Sequence, residues 1–271
     1  MTTAIVSTSV EYLDATGKRL ALIVIPPTTI PVPDTGVITP PPPPPPPPPP
    51  ATSPTAAVNF SWGTPLAGSD EFEYVGAPDP NKWGVYDGPG HNGNGIRAPY
   101  TCTVQNGFLR QHGYPNGDSA GMSHNSSQHY GRWEIRARML PALGATGNAY
   151  HPVLIAWPDD NQWPQSGEYD FMESNIGDTD LHAFIHHPAN TVIQDEYFGP
   201  TIDFAVWHNY GFAWTPGALI GYIDGVEWFR DIDASAQAPR PMHLTIQLDN
   251  FFGGGMQEAF FDVEWARIYA P

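Results

Sequence analysis

An unbroken run of eleven prolines, Pro40–Pro50, prevents this chain from folding as one continuous unit. Consecutive prolines hold the backbone in the polyproline II conformation, which rises about 3.1 Å per residue, so the run forms a semi-rigid rod of roughly 35 Å. The rod separates a short N-terminal segment, 1–39, from one large domain, 55–271, with a linker at 40–54. Such a run acts either as a plain spacer or as a docking site for proline-binding modules.

The N-terminal segment has the pattern of a β-hairpin. Residues 4–12 and 19–25 are rich in β-branched side chains, and a turn signal lies at 14–18. A lone two-stranded hairpin is only marginally stable in water, and Leu20–Ile25 is apolar on both faces. We therefore expect a segment that completes its fold by self-association or by docking on the sheet edge of a larger particle. The alternative is a disordered leader.

Charge and composition exclude several classes of protein. The chain has 271 residues, with 11 Lys plus Arg against 28 Asp plus Glu, so its formal net charge is −17. This charge argues against binding to nucleic acid or to an anionic membrane, which needs clustered basic residues. Aromatic residues make up 13% of the chain and charged residues only 14%, which is typical of a folded protein. The single cysteine, Cys102, excludes a disulfide framework within the chain and a cysteine-rich metal site.

The large domain contains many short strand-like stretches, separated by intervals rich in Gly, Pro, Asn and Asp. The clearest stretches are Gly131–Met139, Leu181–His187, Trp207–Trp214, Leu219–Ile223, Met242–Leu248 and Phe260–Tyr269. Short strands with turns such as Asp224–Gly225, and no long helical periodicity, predict an all-β sandwich or barrel. In the first stretch, Glu134, Arg136 and Arg138 alternate with apolar residues, which predicts one solvated and one buried face.

Three acidic residues, Glu168, Asp170 and Glu173, lie within six positions of one another. Side chains alternate between the faces of a strand, so 168 and 170 share a face whereas 173 would point away. One extra residue near 171–172, a β-bulge, returns the third carboxylate to the face of the other two. Like charges this close raise at least one pKa, which suits a pair in which one carboxylate is ionised and the other holds a proton.

The segment Trp163–Asn175, WPQSGEYDFMESN, resembles the catalytic motif of glycoside hydrolase family 16, in particular its laminarinase-like members with a bulged strand. Other segments resemble further strands of that family in the same order, over about 66–271: Tyr130–Met139, Ala156–Pro158, Phe184–His187, Phe204–Thr215, Tyr222–Gly225 and Phe261–Tyr269. The resemblance implies a concanavalin-like β-jelly-roll sandwich and a retaining mechanism. In it, Glu168 is the nucleophile, Asp170 its electrostatic helper and Glu173 the general acid/base.

Five further residues are expected to bind the substrate. Trp157 and Trp163 flank the catalytic strand as the cleft tryptophans of the family do, and they offer aromatic faces for sugar rings. The resemblance places His186 in the cleft on the side of the nucleophile. It also places Gln247 where the family often has a polar cleft residue. Arg97 follows a Gly-rich loop and either clamps a sugar hydroxyl or pairs with an acid.

Catalysis is expected to need no metal and no other cofactor. Carboxylates carry the chemistry, and the sequence has neither an HExxH motif nor a cluster of His and Cys ligands. The resemblance implies a structural calcium site to which the last strand of the family contributes an aspartate. This sequence has Glu264 in that region, which argues against the calcium.

The resemblance implies hydrolysis of internal bonds in a β-linked polysaccharide. It leaves open whether that polymer is a β-1,3- or β-1,4-linked glucan or a galactan. The alternative is a non-catalytic, lectin-like carbohydrate-binding module or a structural virion tail protein. A pure binding module would have no use for both Glu168 and Glu173, which favours the enzyme.

The place of action is predicted from the layout of the chain. Its N-terminus has no early positive charge and no long apolar core, so we expect no secretory signal peptide. No apolar run approaches the roughly 18 residues of a membrane helix. An assembly segment, a proline rod and a hydrolase domain together resemble a tail-associated protein of a bacterial virus that attacks a cell wall or capsule. We therefore expect a virion-associated protein that acts outside the cell; a cytoplasmic enzyme is the alternative.

Overall fold

The computed structural model describes residues 3–13, 19–31, 54–105, 107–188 and 193–271, in two compact units, Met1–Pro49 and Pro50–Pro271. In the first unit, strand β1 (Thr3–Leu13) pairs antiparallel with strand β2 (Arg19–Pro31). The turn predicted at 14–18 and the proline run lie outside the described residues. The three domain limits given above therefore stay predictions.

The second unit consists almost entirely of strands, and no helix in the described parts of the chain is long and apolar enough to cross a membrane. Its elements are α1 (Ala56–Asn59), β3 (Val75–Gly76), β4 (Trp83–Val85), β5 (Gly88–Pro89), β6 (Ile96–Arg97), β7 (Cys102–Gln105), β8 (Leu109–Gly113), β9 (Ala120–His124), β10 (Gly131–Pro141), β11 (His151–Pro158), β12 (Glu168–Glu173), β13 (Asp180–His186), β14 (Gln194–Thr201), β15 (His208–Thr215), β16 (Ala218–Ile223), β17 (Val226–Asp231), β18 (Met242–Asp249) and β19 (Ala259–Tyr269). Single-turn 3₁₀ helices lie at His91–Gly93, Pro99–Thr101 and Ala234–Ala236.

Two antiparallel sheets pack face to face. The eight-stranded sheet has the order β17-β16-β15-β10-β19-β8-β7-β3, and the seven-stranded sheet has the order β14-β13-β12-β11-β18-β9-β4. Phe171 of β12 stacks on Phe212 of β15 with ring centroids 5.2 Å apart, so the inner faces of the two sheets form the core. The predicted all-β sandwich is confirmed.

The strands follow the sequence patterns closely. Each of the six stretches singled out above forms a strand whose ends lie within two residues of the prediction. The predicted turn at Asp224–Gly225 joins β16 to β17, and both residues have positive φ, 47° and 73°. Such a two-residue turn matches the twist of the antiparallel strands that it connects.

The outward face of β10 differs from the prediction. Glu134 and Arg136 were expected in solvent, but they are buried, with exposures of 0% and 5%. The segment around α1 covers this part of the eight-stranded sheet, and the backbone N–H groups of Ala56 and Ala57 donate to the Glu134 carboxylate. Burial raises the pKa of Glu134 to about 7, although the two backbone hydrogen bonds favour its ionised form. The predicted solvated face is therefore wrong, because a distant segment supplies its cover.

Candidate active site

A β-bulge on β12 sets the direction of its acidic side chains. Along the pairing with β11, Ile155 lies opposite Asp170 and Leu154 lies opposite Met172, which leaves Phe171 as an extra residue. The pairing with β13 shifts over the same interval. All three carboxylates consequently line the same cavity, while Phe171 and Met172 are buried in the core. The bulge lies where the sequence predicted it.

A cavity of about 670 Å³ lies on the seven-stranded sheet, and we call it the main cavity. Its lining includes all eight residues that the sequence singled out, namely Arg97, Trp157, Trp163, Glu168, Asp170, Glu173, His186 and Gln247. A smaller cavity of about 290 Å³, the side cavity, shares Glu173 and Phe251 with the main one. The size of the main cavity is typical of ligand sites, which range over about 300–1,000 Å³.

Asp170 lies at the bottom of the carboxylate cluster. It is 2% exposed, and its Oδ2 lies 3.2 Å from Nε2 of His186. Among the described residues, its other oxygen and Nδ1 of His186 are buried without a hydrogen-bond partner. Trp163 packs edge-on against His186, with ring centroids 6.0 Å apart. The predicted contact of His186 with the cluster is therefore made through Asp170.

Removal from water controls the protonation of the cluster. Burial raises the pKa of Glu168 well above its usual range, and the charge of Asp170 raises it further. Burial likewise raises the pKa of Asp170, with repulsion from Glu173 as the next cause. The sequence predicted a raised pKa from like charges, whereas the structure shows that desolvation is the larger cause. The cluster therefore retains a proton at a pH where an exposed carboxyl group would have lost it.

His151 is a contact of the cluster that the sequence interpretation missed. Its Nε2 lies 2.6 Å from Oε2 of Glu173, its Nδ1 lies 3.1 Å from Oδ1 of Asn175, and its ring stacks on Phe251. Burial opposes the imidazolium, but the hydrogen bond and charge of Glu173 outweigh it, so the pKa of His151 is raised. Strand period could have placed His151 at the cavity. His151 and Trp157 are an even number of positions apart, so their side chains share a face of β11.

Arg97 pairs with an acid, one of the two roles that the sequence left open. Its Nε donates to Oδ1 of Asp249 at 3.2 Å, and a terminal nitrogen donates to Oε1 of Gln247 at 2.6 Å. Burial raises the pKa of Asp249, and the charge of Arg97 acts in the opposite direction. Arg97 and Gln247 still line the main cavity, so their contact with a sugar stays a prediction.

The two predicted tryptophans lie on the wall of the main cavity. Nε1 of Trp157 donates to Oδ1 of Asn161 at 2.9 Å, which fixes the plane of the indole. Trp163 is 41% exposed although it is large and apolar. Exposed aromatic faces beside a carboxylate cluster provide stacking surfaces for a ligand with apolar ring faces.

Glu264, which the sequence placed near the implied calcium site, forms a salt bridge with Arg136. Its carboxylate thus has a cationic partner within the protein. The absence of a structural calcium ion stays a prediction, as does the absence of a metal in catalysis.

The model of the glycosyl hydrolases family 16 matches residues 96–267. The chain belongs to this family. A β-glucanase of Rhodothermus marinus is 30% identical to this family 16 protein over 247 residues, which cover 75% of this chain and 84% of the relative. The structure of LamAcat from Zobellia galactanivorans matches with a TM-score of 0.65 at 21% identity, over 78% of this chain and 99% of that chain.

A non-specific endo-β-1,3(4)-glucanase of family 16, co-crystallised with 1,3-β-D-cellobiosyl-cellobiose, matches with a TM-score of 0.63 at 23% identity. The match covers 76% of this chain and 94% of that chain. These structural matches confirm the predicted jelly-roll fold, and family membership makes this family 16 protein a glycoside hydrolase.

Proposed function

We propose that this protein is a retaining, endo-acting hydrolase of a β-linked glucan. The observation that carries the proposal is the bulged strand β12, which brings Glu168, Asp170 and Glu173 to one cavity lined with tryptophans. Retaining glycosidases need two such carboxyl groups, one to attack the anomeric carbon and one to protonate the leaving oxygen. Relatives that are β-glucanases support a glucan as the substrate, and a galactan is the alternative.

The proposed reaction proceeds by two displacements. In the first, an oxygen of ionised Glu168 bonds to the anomeric carbon while the glycosidic C–O bond breaks, and Glu173 gives its proton to the departing oxygen. In the second, Glu173 takes a proton from water, and the water oxygen displaces Glu168 from the same carbon. The nucleophile and the acid are then both restored.

Asp170 has the role of sharing a proton with Glu168, which is separate from the proton that Glu173 gives to the leaving oxygen. It interacts with both glutamates, and its burial favours the neutral form. Glu168 and Asp170 share a hydrogen bond, and Glu168 is the ionised nucleophile when the shared proton lies on Asp170. His186, at 3.2 Å, restricts the orientation of this carboxyl group.

The arrangement of the two cavities supports action within a polymer. The main cavity carries Glu168 and both tryptophans, and the side cavity extends from Glu173 past Phe184 and Phe251. A polysaccharide bound across both cavities would have its scissile bond at Glu173, with sugar units on each side. An enzyme of this shape cuts internal bonds.

Incubation with a panel of polysaccharides tests the proposal. The panel contains β-1,3-glucan, mixed-linkage β-1,3-1,4-glucan, β-1,4-glucan, galactans and bacterial cell-wall and capsular polymers, and the readout is the release of new reducing ends. We expect release from at least one β-glucan, with oligosaccharides as early products. Tight binding without any release across the panel would favour a lectin-like module instead.

Hydrolysis is expected to retain the anomeric configuration. A glycosyl ester on Glu168 forms and is then hydrolysed, so two inversions at one carbon cancel. Proton NMR of the first product, recorded before mutarotation, measures the configuration directly. An inverted product would mean that a water molecule, and not Glu168, attacks the sugar.

Replacement of His151 by glutamine is expected to move the alkaline limb of the kcat/KM profile to lower pH. The native His151–Glu173 pair keeps its proton until the pH rises through the raised pKa of His151. The pair likewise stabilises the fold below the ordinary pKa of histidine and loses that contribution as the pH rises through the raised value. A carboxyl group alone ordinarily loses its proton at lower pH than an imidazole.

On the alkaline side, the His151→Gln variant should lose about tenfold in kcat/KM, the equivalent of one charge-assisted hydrogen bond of ~1.5 kcal/mol. His208→Gln is the matched control, because His208 also pairs with a carboxylate, Asp224 at 2.6 Å, but lines neither cavity. An unchanged pH profile in the His151 variant would show that the pair does not supply the catalytic proton.

We further propose that the N-terminal hairpin tethers the enzyme to a larger particle, such as a virion tail, that delivers it outside the cell. Strands β1 and β2 form one antiparallel pair, and such a pair needs further cover to be stable. Light scattering on the full chain and on residues 50–271 separates the parts. Self-association of the full chain, without self-association of residues 50–271, supports the tether. A full chain that stays monomeric and docks on no particle contradicts it.

A further inference from the structure

A second cluster of ligand-type side chains lies where edge strands of the two sheets meet. His187 follows β13, Asp195 is on β14, and Asp231 ends β17; β14 and β17 are the edge strands of their sheets. Each residue offers one ligand atom, and these atoms lie within 4.8 Å of one another. Tyr197 of β14 stacks on Phe229 of β17 at 4.9 Å, which holds the two edges together beside the cluster.

Asp231 is the unusual member of this cluster. It is 3% exposed, and its Oδ1 accepts a hydrogen bond from the backbone N–H of Asp233 at 2.7 Å. Its Oδ2 is buried and, within the part of the chain that the structure describes, has no hydrogen-bond partner. A buried carboxylate oxygen without a donor is costly, and a cation satisfies it. Burial is the main reason that the pKa of Asp231 is raised; the backbone hydrogen bond from Asp233, the charge of His187 and the nearby Tyr197 hydroxyl act in the opposite direction.

His187 is held in an orientation that suits a ligand. Its Nδ1 lies 3.1 Å from Oγ of Ser235, so Nε2 points to the carboxylates, 2.7 Å from Oδ2 of Asp195. Metal-binding histidines typically have such a partner on their second ring nitrogen. The side chain of Asp195 is 45% exposed, which leaves an open approach for an ion and for water as a further ligand.

We propose that His187, Asp195 and Asp231 bind one divalent transition-metal ion of the Zn²⁺ type. An imidazole nitrogen with two carboxylate oxygens suits Zn²⁺, whereas Ca²⁺ and Mg²⁺ prefer oxygen ligands alone. The ion joins the edges of the two sheets and takes no part in the glycosidase reaction. It stabilises the end of β13, where His186 contacts Asp170.

The full-length protein, treated with a chelator and dialysed, is titrated with Zn²⁺, Mn²⁺, Ca²⁺ and Mg²⁺ in separate calorimetry experiments. We expect one Zn²⁺ to bind per chain, in preference to Ca²⁺ and Mg²⁺. At a Zn²⁺ concentration about 100 times Kd, the Tm should rise by roughly 5–10 °C. Elemental analysis of the protein after gel filtration measures the stoichiometry independently.

Variants locate the ion. Asp195→Asn and Asp231→Asn should each abolish Zn²⁺ binding and the Tm shift, and Asp195→Asn keeps the protein testable if the buried substitution prevents folding. Asp224→Asn is the matched control, because it removes the carboxylate of another His–Asp pair and should leave binding unchanged. A group of Glu168, Asp170 and His186 also places ligand atoms within 4.8 Å of one another. The proposal is wrong if no Zn²⁺ binds, if both variants retain it, or if binding is lost in Glu168→Gln instead.

Discussion

Replacement of Glu168 or Glu173 by glutamine is expected to lower the hydrolysis rate by at least about 10³-fold while the fold stays intact. The change is nearly isosteric, but the amide can neither bond to the anomeric carbon as a carboxylate does nor supply a proton. Glu168 is half-buried in a cluster that repels its charge, so its neutral replacement should not lower stability. Reducing-end release on the best substrate measures the rate, and thermal unfolding checks the fold.

Glu227→Gln is the control for both variants. Glu227 forms a salt bridge with Arg230 on the surface of β17 and lines neither cavity, so we expect the rate to stay within about twofold of the native value. Native activity in Glu168→Gln or Glu173→Gln would remove the assignment of these residues as nucleophile and acid.

Deletion of Phe171 is expected to destabilise the domain strongly while Glu173 still faces the cavity. Without the extra residue, Glu173 lies two positions after Asp170, so an unbroken strand also places the two side chains on one face. The deletion also removes a fully buried phenylalanine, a loss that costs about 3–5 kcal/mol in comparable cores. Chemical denaturation measures the loss of stability, and the β-glucan assay measures activity in whatever fraction remains folded.

Phe171→Leu is the matched variant for the deletion, because it preserves the number of residues in the bulge. It should lose about 1–2 kcal/mol of stability and keep most of the activity. The folded fraction of the deletion variant should hydrolyse glucan at a rate close to that of Phe171→Leu. A folded deletion variant without activity would contradict this, because Glu173 would then not face the cavity as strand period requires.

The sequence predicted the bulge in β12 and the common face of its three carboxylates because the relevant information is local. Asp170 lies two positions after Glu168, so the two side chains share a face of the strand. Glu173 lies an odd number of positions after each of them, so it reaches that face only if the strand has an extra residue between Asp170 and Glu173. The same local rule failed for Glu134. Its partners, Ala56 and Ala57, lie in a segment that is far away in sequence, and no periodicity within β10 shows that this segment returns to cover it.

Contacts between side chains that lie far apart in the sequence could not be predicted from it either. His151 meets Glu173 only because β11 and β12 are neighbours in a particular register. The cluster of His187, Asp195 and Asp231 depends on how two sheet edges approach each other, which strand patterns do not specify. A motif and the strand period predict which side chains one strand places on each of its faces. Contacts between strands are known only from the folded sandwich.

The position of Glu173 at the junction of the two cavities has a consequence for the polymer itself. In the proposed mechanism, scission near the middle of a long glucan halves its molar mass and yields only one new reducing end. A gel or viscous layer made of such chains therefore loses its mechanical strength long before a measurable amount of free sugar appears. An enzyme of this shape opens a path through a polysaccharide barrier and leaves most of the material undigested.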